Sequence, residues 1–234
     1  MEMGGSSDLK GAKEMRLAND PRVKKLDRMG FALALILVGV VGRILLYRYA
    51  NFETVLVVSL LAGALLGRAY ALIVPLVTMA MSDVVIYSMG YGFSYGYIAI
   101  LGITFFTWTG FMVVGFIGST LKGKIICVTK SVALVTGTGL LATVFFDIWT
   151  TVGYWYFLLP HTLGYLGFAF VQLAPFMVYH LMSSLMLVPL LGTIFIYVHE
   201  NGIPQLNISP IAGKSDEDHQ IKEACPASSS SPRT

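Results

Sequence analysis

The chain has 234 residues, 56% of them hydrophobic and only 12% charged, with a formal net charge of +3. Soluble domains average about 25% charged residues, so this composition excludes an ordinary soluble domain, and a net charge this small gives no argument for a nucleic-acid partner. The charges are also segregated: residues 1–28 hold seven of the sixteen Lys and Arg and five of the thirteen Asp and Glu.

Residues 1–28 form a polar, basic tail without the short apolar core of a signal peptide. From 29 to 199 the sequence is compatible with lipid and reads as one membrane domain. Against a requirement of about 20 apolar residues per crossing, the spans fall at 30–48, 53–67, 69–89, 96–120, 125–149 and 167–198. The second is short and the sixth long, and Pro175 and Pro189 are expected to bend or divide the sixth. Residues 200–234 end in a Ser/Pro run that cannot build a core and form a second, disordered tail. Cys127 and Cys225 lie too far apart, in too different settings, to suggest a disulfide or a metal knot. The expected fold is an all-α integral membrane protein with about six transmembrane helices, a multi-pass protein of the cell membrane.

Orientation follows from the basic residues. With the amino terminus cytoplasmic, the inner segments hold the seven tail cations, Arg68, Lys122 and Lys124, and both termini are cytoplasmic. The outer loops are then "YRYANFE", "MGYGFSYGY" and "GYWYFLLPHTLGYLG", rich in Tyr and Trp where the inner loops are not. An interfacial belt accounts for such residues in any membrane protein, but a belt belongs on both faces. A part in binding stands beside it.

Only Glu53, Asp83 and Asp147 are acidic between residues 29 and 199. At 1.5 Å of rise per residue, Asp83 falls roughly 21 Å up a ~30 Å apolar core. Asp147, Arg43, Glu53 and His161 fall toward the same outer side, with His180 near mid-membrane. A charge inside a bilayer costs several kcal/mol unless paired or solvated. Asp83 is therefore expected to face a polar outer pocket, with Arg43 as its partner and Asn51, Glu53, Ser82 and His180 as neighbours. The competing reading is an Arg43–Asp83 pair that only orients two helices, and His180 reads equally as a hydrogen-bonded core histidine.

No metalloprotease, metal-cysteine or nucleophile-elbow pattern is present, and neither a catalytic residue nor a cofactor nor a metal is expected. "GSTLKGK", residues 118–124, matches a phosphate loop except that Ile125 replaces the magnesium-binding Ser or Thr and an apolar span precedes it. It reads as a cytoplasmic turn, so ATP hydrolysis would not reside in this chain. The sequon Asn207-Ile208-Ser209 falls on the cytoplasmic side and reads as chance. Gly63, Gly67 and Ala71 make small-residue steps for close helix packing, within the bundle or against another subunit.

The stretch "NFETVLVVSLLAGALLGRAYALIVPLVTMAMSDVVIY", preceded by Arg43, resembles the second and third helices of S components of energy-coupling factor (ECF) transporters. "FFDIWTTVGYWYFLLPHTLGYLGFAFVQLAPFMVYHLMSSLM" is similar to the end of an uncharacterised S-component-like branch, and the resemblance spans roughly residues 40 to 195. It implies a six-helix subunit that binds a vitamin or similar micronutrient near the outer face. Such a subunit passes it inward with a membrane T component and two cytosolic ATPases. By position, Arg43, Asn51, Phe52, Ser82, Asp83, Trp155, Pro160, His161 and Thr162 match that pattern, while Glu53 and Thr151 depart from it. Ala32, Ala34, Gly39 and Gly42 do not make the Ala-x-x-x-Ala step of the usual first helix.

The expected function is thus substrate binding for an ECF-type importer, not enzymatic catalysis. Arg43, Asn51, Phe52, Glu53, Ser82, Asp83 and His180 would line the pocket, and Tyr154, Trp155 and His161 would form an outer lid. A stand-alone secondary or proton-coupled transporter, and a structural membrane subunit, are the alternatives.

Overall fold

The computed structural model describes residues 21–49, 54–90, 96–125 and 128–201. Among these there are six helices and no strand. They are α1 (Pro21–Leu46), α2 (Thr54–Leu66), α3 (Arg68–Ser88), α4 (Tyr97–Ser119), α5 (Val128–Leu158) and α6 (Leu163–Asn201). Five of them, all but α2, are long and apolar enough to cross a membrane. Their outward positions carry Leu37, Leu45, Val84, Ile98, Leu141 and Val171, all exposed. In water those faces would be polar. The architecture is a multi-pass membrane bundle.

α2 differs. Its thirteen residues are all buried, and it packs against each of the other five helices. A helix that is apolar all round belongs in an interior. The close approach of its neighbours depends on glycine. A Cβ at Gly63 would stand 1.9 Å from the carbonyl oxygen of Gly115, one at Gly115 2.3 Å from that of Ala71, and one at Gly118 2.2 Å from that of Leu60. Gly63 and Ala71 therefore serve packing inside this bundle.

The last five residues of α2, Ala62–Leu66, are a π-helical turn. The chain reverses into α3 at Gly67, whose φ of +100° suits glycine alone. Lys122 closes that corner, donating from Nζ to the Leu66 carbonyl at 3.0 Å. "GSTLKGK" is thus the end of α4 and its following turn, with no strand before it.

Phe31 near the start of α1 meets Phe195 and His199 near the end of α6 edge to face, with ring centroids 5.5 and 5.7 Å apart. The first and last helices begin and finish at one end of the bundle, as an even number of passes requires. α2 runs back through the interior of the bundle after α1, without the length of a full crossing. The Thr54 hydroxyl donates to the Gly39 carbonyl at 3.0 Å, and a Cβ at Gly42 would fall 2.4 Å from the Thr54 methyl. α2 therefore starts about one turn below Arg43, at the end opposite Phe31.

Three features differ from the sequence expectation, the first being that α1 begins at Pro21, inside the expected 1–28 tail, because the polar residues 21–28 continue the helix ahead of its apolar span. The third outer loop shrinks to residues 159–162, because α5 continues to Leu158 and α6 starts at Leu163. Pro160 disfavours helix at the residue before it, and the Trp155 indole bridges the turn to the carbonyls of Pro160 and Thr162, each at 3.2 Å. α6 also runs undivided for 39 residues through Pro175 and Pro189. Each proline removes one backbone donor, a loss that flanking turns in a packed bundle absorb.

Candidate functional site

At the Arg43 end, α1, α3, α4, α5 and α6 frame a cavity of about 500 Å³. Among the described residues α2 contributes nothing to its wall. Each helix offers one face at three- and four-residue spacing. These faces are Arg43 and Leu46 from α1, with Tyr47 in the turn after it, then Met79, Asp83 and Tyr87 from α3. Ile103, Thr104 and Thr107 follow from α4, then Asp147, Thr151 and Tyr154 from α5, and Leu173, Phe176 and Met177 from α6.

The best-defined polar group is built on Asp83. Arg43 Nη2 donates to its Oδ1 at 2.8 Å, and the two side chains are 15% and 7% exposed. Trp108 Nε1 donates to Oδ2 at 2.7 Å. Arg43 Nη1 meets the Met79 sulfur. Both carboxylate oxygens are thus held by donors, and the arginine bridges two helices, so the charge is neutralised where it is desolvated. Beside it, the Tyr87 hydroxyl and the Thr104 hydroxyl are hydrogen-bonded at 2.7 Å.

Across the cavity, Asp147 Oδ1 lies 2.6 Å from His180 Nδ1, both residues almost fully buried. His180 Nε2 is buried with no hydrogen-bond partner among the described residues. Against a carboxylate oxygen, Nδ1 is the donor of this contact. Phe146 separates this pair from the core, stacked on Phe111 with centroids 4.4 Å apart and edge-on to His180 at 5.5 Å. One turn further along, Thr143 and Ser184 join their hydroxyls at 2.8 Å, so α5 and α6 share a polar seam. Among the described residues, no three of His, Cys, Asp and Glu converge on a metal position.

Of the residues expected in the site, the structure brings Arg43, Asp83 and Tyr154 to the cavity. Ser82 is fully buried and turns away, its hydroxyl donating to the Thr78 carbonyl at 2.8 Å. His180 stands one layer behind Asp147. Trp155 and His161 form the α5–α6 turn instead of the cavity wall. His161 stacks on Tyr156 with centroids 4.9 Å apart, and its Nε2 donates to the Tyr156 carbonyl at 2.7 Å. On a helix, adjacent residues point about 100° apart, so Tyr154 faces in where Trp155 does not. Asn51, Phe52 and Glu53 lie outside the described residues.

The structure adds Asp147, Trp108, Tyr87 and Thr104. Two of these carried a signal: Asp147 is one of three acids in the domain, and an indole N–H within an apolar span needs an acceptor. The cavity volume is in the range of small-molecule sites, with aromatic walls and a few fixed polar groups.

A family model described as a family of unknown function (DUF6580) matches residues 24–206. No curated protein and no solved structure matches the chain.

Proposed function

The chain belongs to the DUF6580 family, whose description carries no function, and we propose that it captures a small molecule at the outer side of a cell membrane for uptake. In the specific form of this reading it is the substrate-binding subunit of an ECF-type importer. A T component and two cytosolic ATPases would then supply the energy, and the bound molecule would be a vitamin-like micronutrient. The supporting observation is the cavity itself: about 500 Å³, framed by five helices at one end of the bundle, with Arg43, Asp83 and Asp147 on its wall. The ECF form rests on the sequence resemblance.

One observation favours a second reading, a stand-alone proton-coupled carrier. The buried Asp147–His180 pair borders the cavity, and ionisable groups inside membrane bundles commonly serve ion pathways.

Native mass spectrometry of the detergent-purified protein, with extraction of any retained small molecule, tests the shared core of both readings. One metabolite per chain, lost in Arg43→Ala and Asp83→Ala variants, is the expected result. A folded protein that stays empty after exposure to cell extract would count against both. Uptake by the protein alone in proteoliposomes, driven by a pH gradient, would select the carrier.

A further inference from the structure

We infer that the molecule held in this cavity is lipophilic and enters it sideways from the bilayer, through a gap between α1 and α6. The inference rests on the binding reading above and adds the class of the substrate and its route. α1, α3, α4, α5 and α6 stand around α2 as a ring, each packed on the next in that order. α6 and α1, which would close the ring, share no such packing among the described residues. The aromatic contacts that join them, Phe31 with Phe195 and His199, lie at the end of the bundle opposite the cavity. There Leu35, Ile36, Phe195 and Ile196 are buried. At the cavity end, Leu46 on α1 and Leu173 and Met177 on α6 are only half-buried, and Phe176 is 41% exposed, though all four line the cavity. The apolar span of α1, Arg28–Leu46, has 19 residues, a length of roughly 28 Å that crosses one hydrocarbon core. Leu46 therefore stands where acyl chains meet headgroups, and the gap beside it opens among the chains of the cavity-side leaflet.

The wall has the chemistry of such a ligand, because most of its polar side chains are already bonded within the protein. Arg43 and Trp108 hold Asp83, and Asp147 meets His180. The Tyr87 and Thr104 hydroxyls bond each other, and those of Thr107 and Thr150 donate to the Ile103 and Phe146 carbonyls of their own helices at 2.8 and 2.9 Å. Thirteen of the twenty wall residues are Leu, Ile, Met, Phe or Tyr. A water-soluble molecule with many donors and acceptors would leave them unmet against this surface. A lipophilic one exchanges acyl chains for aromatic and aliphatic contacts.

Photolabelling of the full chain in lipid nanodiscs, read by peptide mass spectrometry, tests both parts. A phosphatidylcholine with a diazirine in its acyl chain should label Leu46, Leu173 or Met177 as well as the outward-facing Leu45, Val171 and Val178. Labels on the outward residues alone would mean that the gap is shut, and would overturn the route. Benzophenone, lipophilic and photoreactive, should label the wall saturably. Its yield should fall about tenfold or more in excess diphenylmethane, which has a similar shape and does not photolabel. Benzophenone-4-sulfonate, kept out of the bilayer by its charge, should label the wall about tenfold less than benzophenone. Equal or stronger labelling by the sulfonate would assign a water-borne ligand, overturning the substrate class and leaving a binding cavity standing. If neither benzophenone labels the wall saturably, this inference and the binding reading fail together, and lipid found in the gap then marks a seat for lipid or a partner helix.

Discussion

Trp108 and Arg43 hold opposite oxygens of one carboxylate, Asp83, at 2.7 and 2.8 Å, so that a single side chain ties α1, α3 and α4 together. Removing the carboxylate charge strands a largely buried guanidinium. Asp83→Asn should therefore destabilise the protein by about 3 kcal/mol, the lower end for breaking a buried ion pair. Adding Arg43→Met to that variant should recover much of the loss. Thermal unfolding of the two single variants and the double variant in detergent measures the coupling. Strictly additive effects would mean that the two residues do not act as a pair.

The indole contact can be tested against an internal standard. Trp108 donates to a carboxylate, whereas Trp149 donates to the neutral Thr109 hydroxyl at 3.0 Å. Hydrogen bonds to charged groups contribute about 1.5–3 kcal/mol and neutral ones about 0.5–1.5. Trp108→Phe should lower the unfolding temperature more than Trp149→Phe, in the same detergent and at the same protein concentration. Equal losses would assign both indoles to packing alone.

Two glycines make a sharper contrast. A methyl group at Gly115 would press on the backbone oxygen of Ala71, while one at Gly137 would meet nothing within 4 Å. Backbone cannot yield as a side chain can, so Gly115→Ala should cost about 2 kcal/mol or more through forced helix separation. Gly137→Ala should be neutral or slightly stabilising. Folded yield on size-exclusion chromatography, followed by thermal unfolding, reads both.

The α5–α6 seam predicts a smaller effect. Thr143→Val and Ser184→Ala each remove one half of the hydroxyl pair at 2.8 Å. Hydrogen bonds between membrane helices average about 0.6 kcal/mol. Each variant should lose about that much, and the double variant little more than either alone, as judged by reversible unfolding in mixed micelles.

Much of this arrangement was legible before any coordinates. Each of the six apolar segments overlaps one of the six helices, and five of these are long enough to cross a bilayer, while α2, the short second segment, is not. Arg43 and Asp83 were placed together because each is too costly to leave alone in an apolar span, and the structure pairs them. The Asp147–His180 contact joins residues 33 positions apart on two helices. Its register depends on how α5 and α6 pack, which spacing alone does not fix. Of the expected lid, Tyr154 reaches the cavity while Trp155 and His161 do not, for a similar reason. "GYWYFLLPHTLGYLG" reads as a loop by its glycines and Pro160, but only Pro160 interrupts helix there. Trp155 and His161 were consequently drawn into a tight turn.

The length of α2 has a volumetric meaning. Thirteen residues make a helix roughly 20 Å long, about 10 Å short of a full crossing. A missing cylinder of that height and the width of a helix encloses on the order of 800 Å³, the same order as the cavity of about 500 Å³. Because α2 begins beside Gly39 and Gly42 and, among the described residues, lends nothing to the cavity wall, the cavity lies beyond its described end. Two further helical turns added ahead of Thr54 would plug the protein from within, leaving its outer surface unchanged.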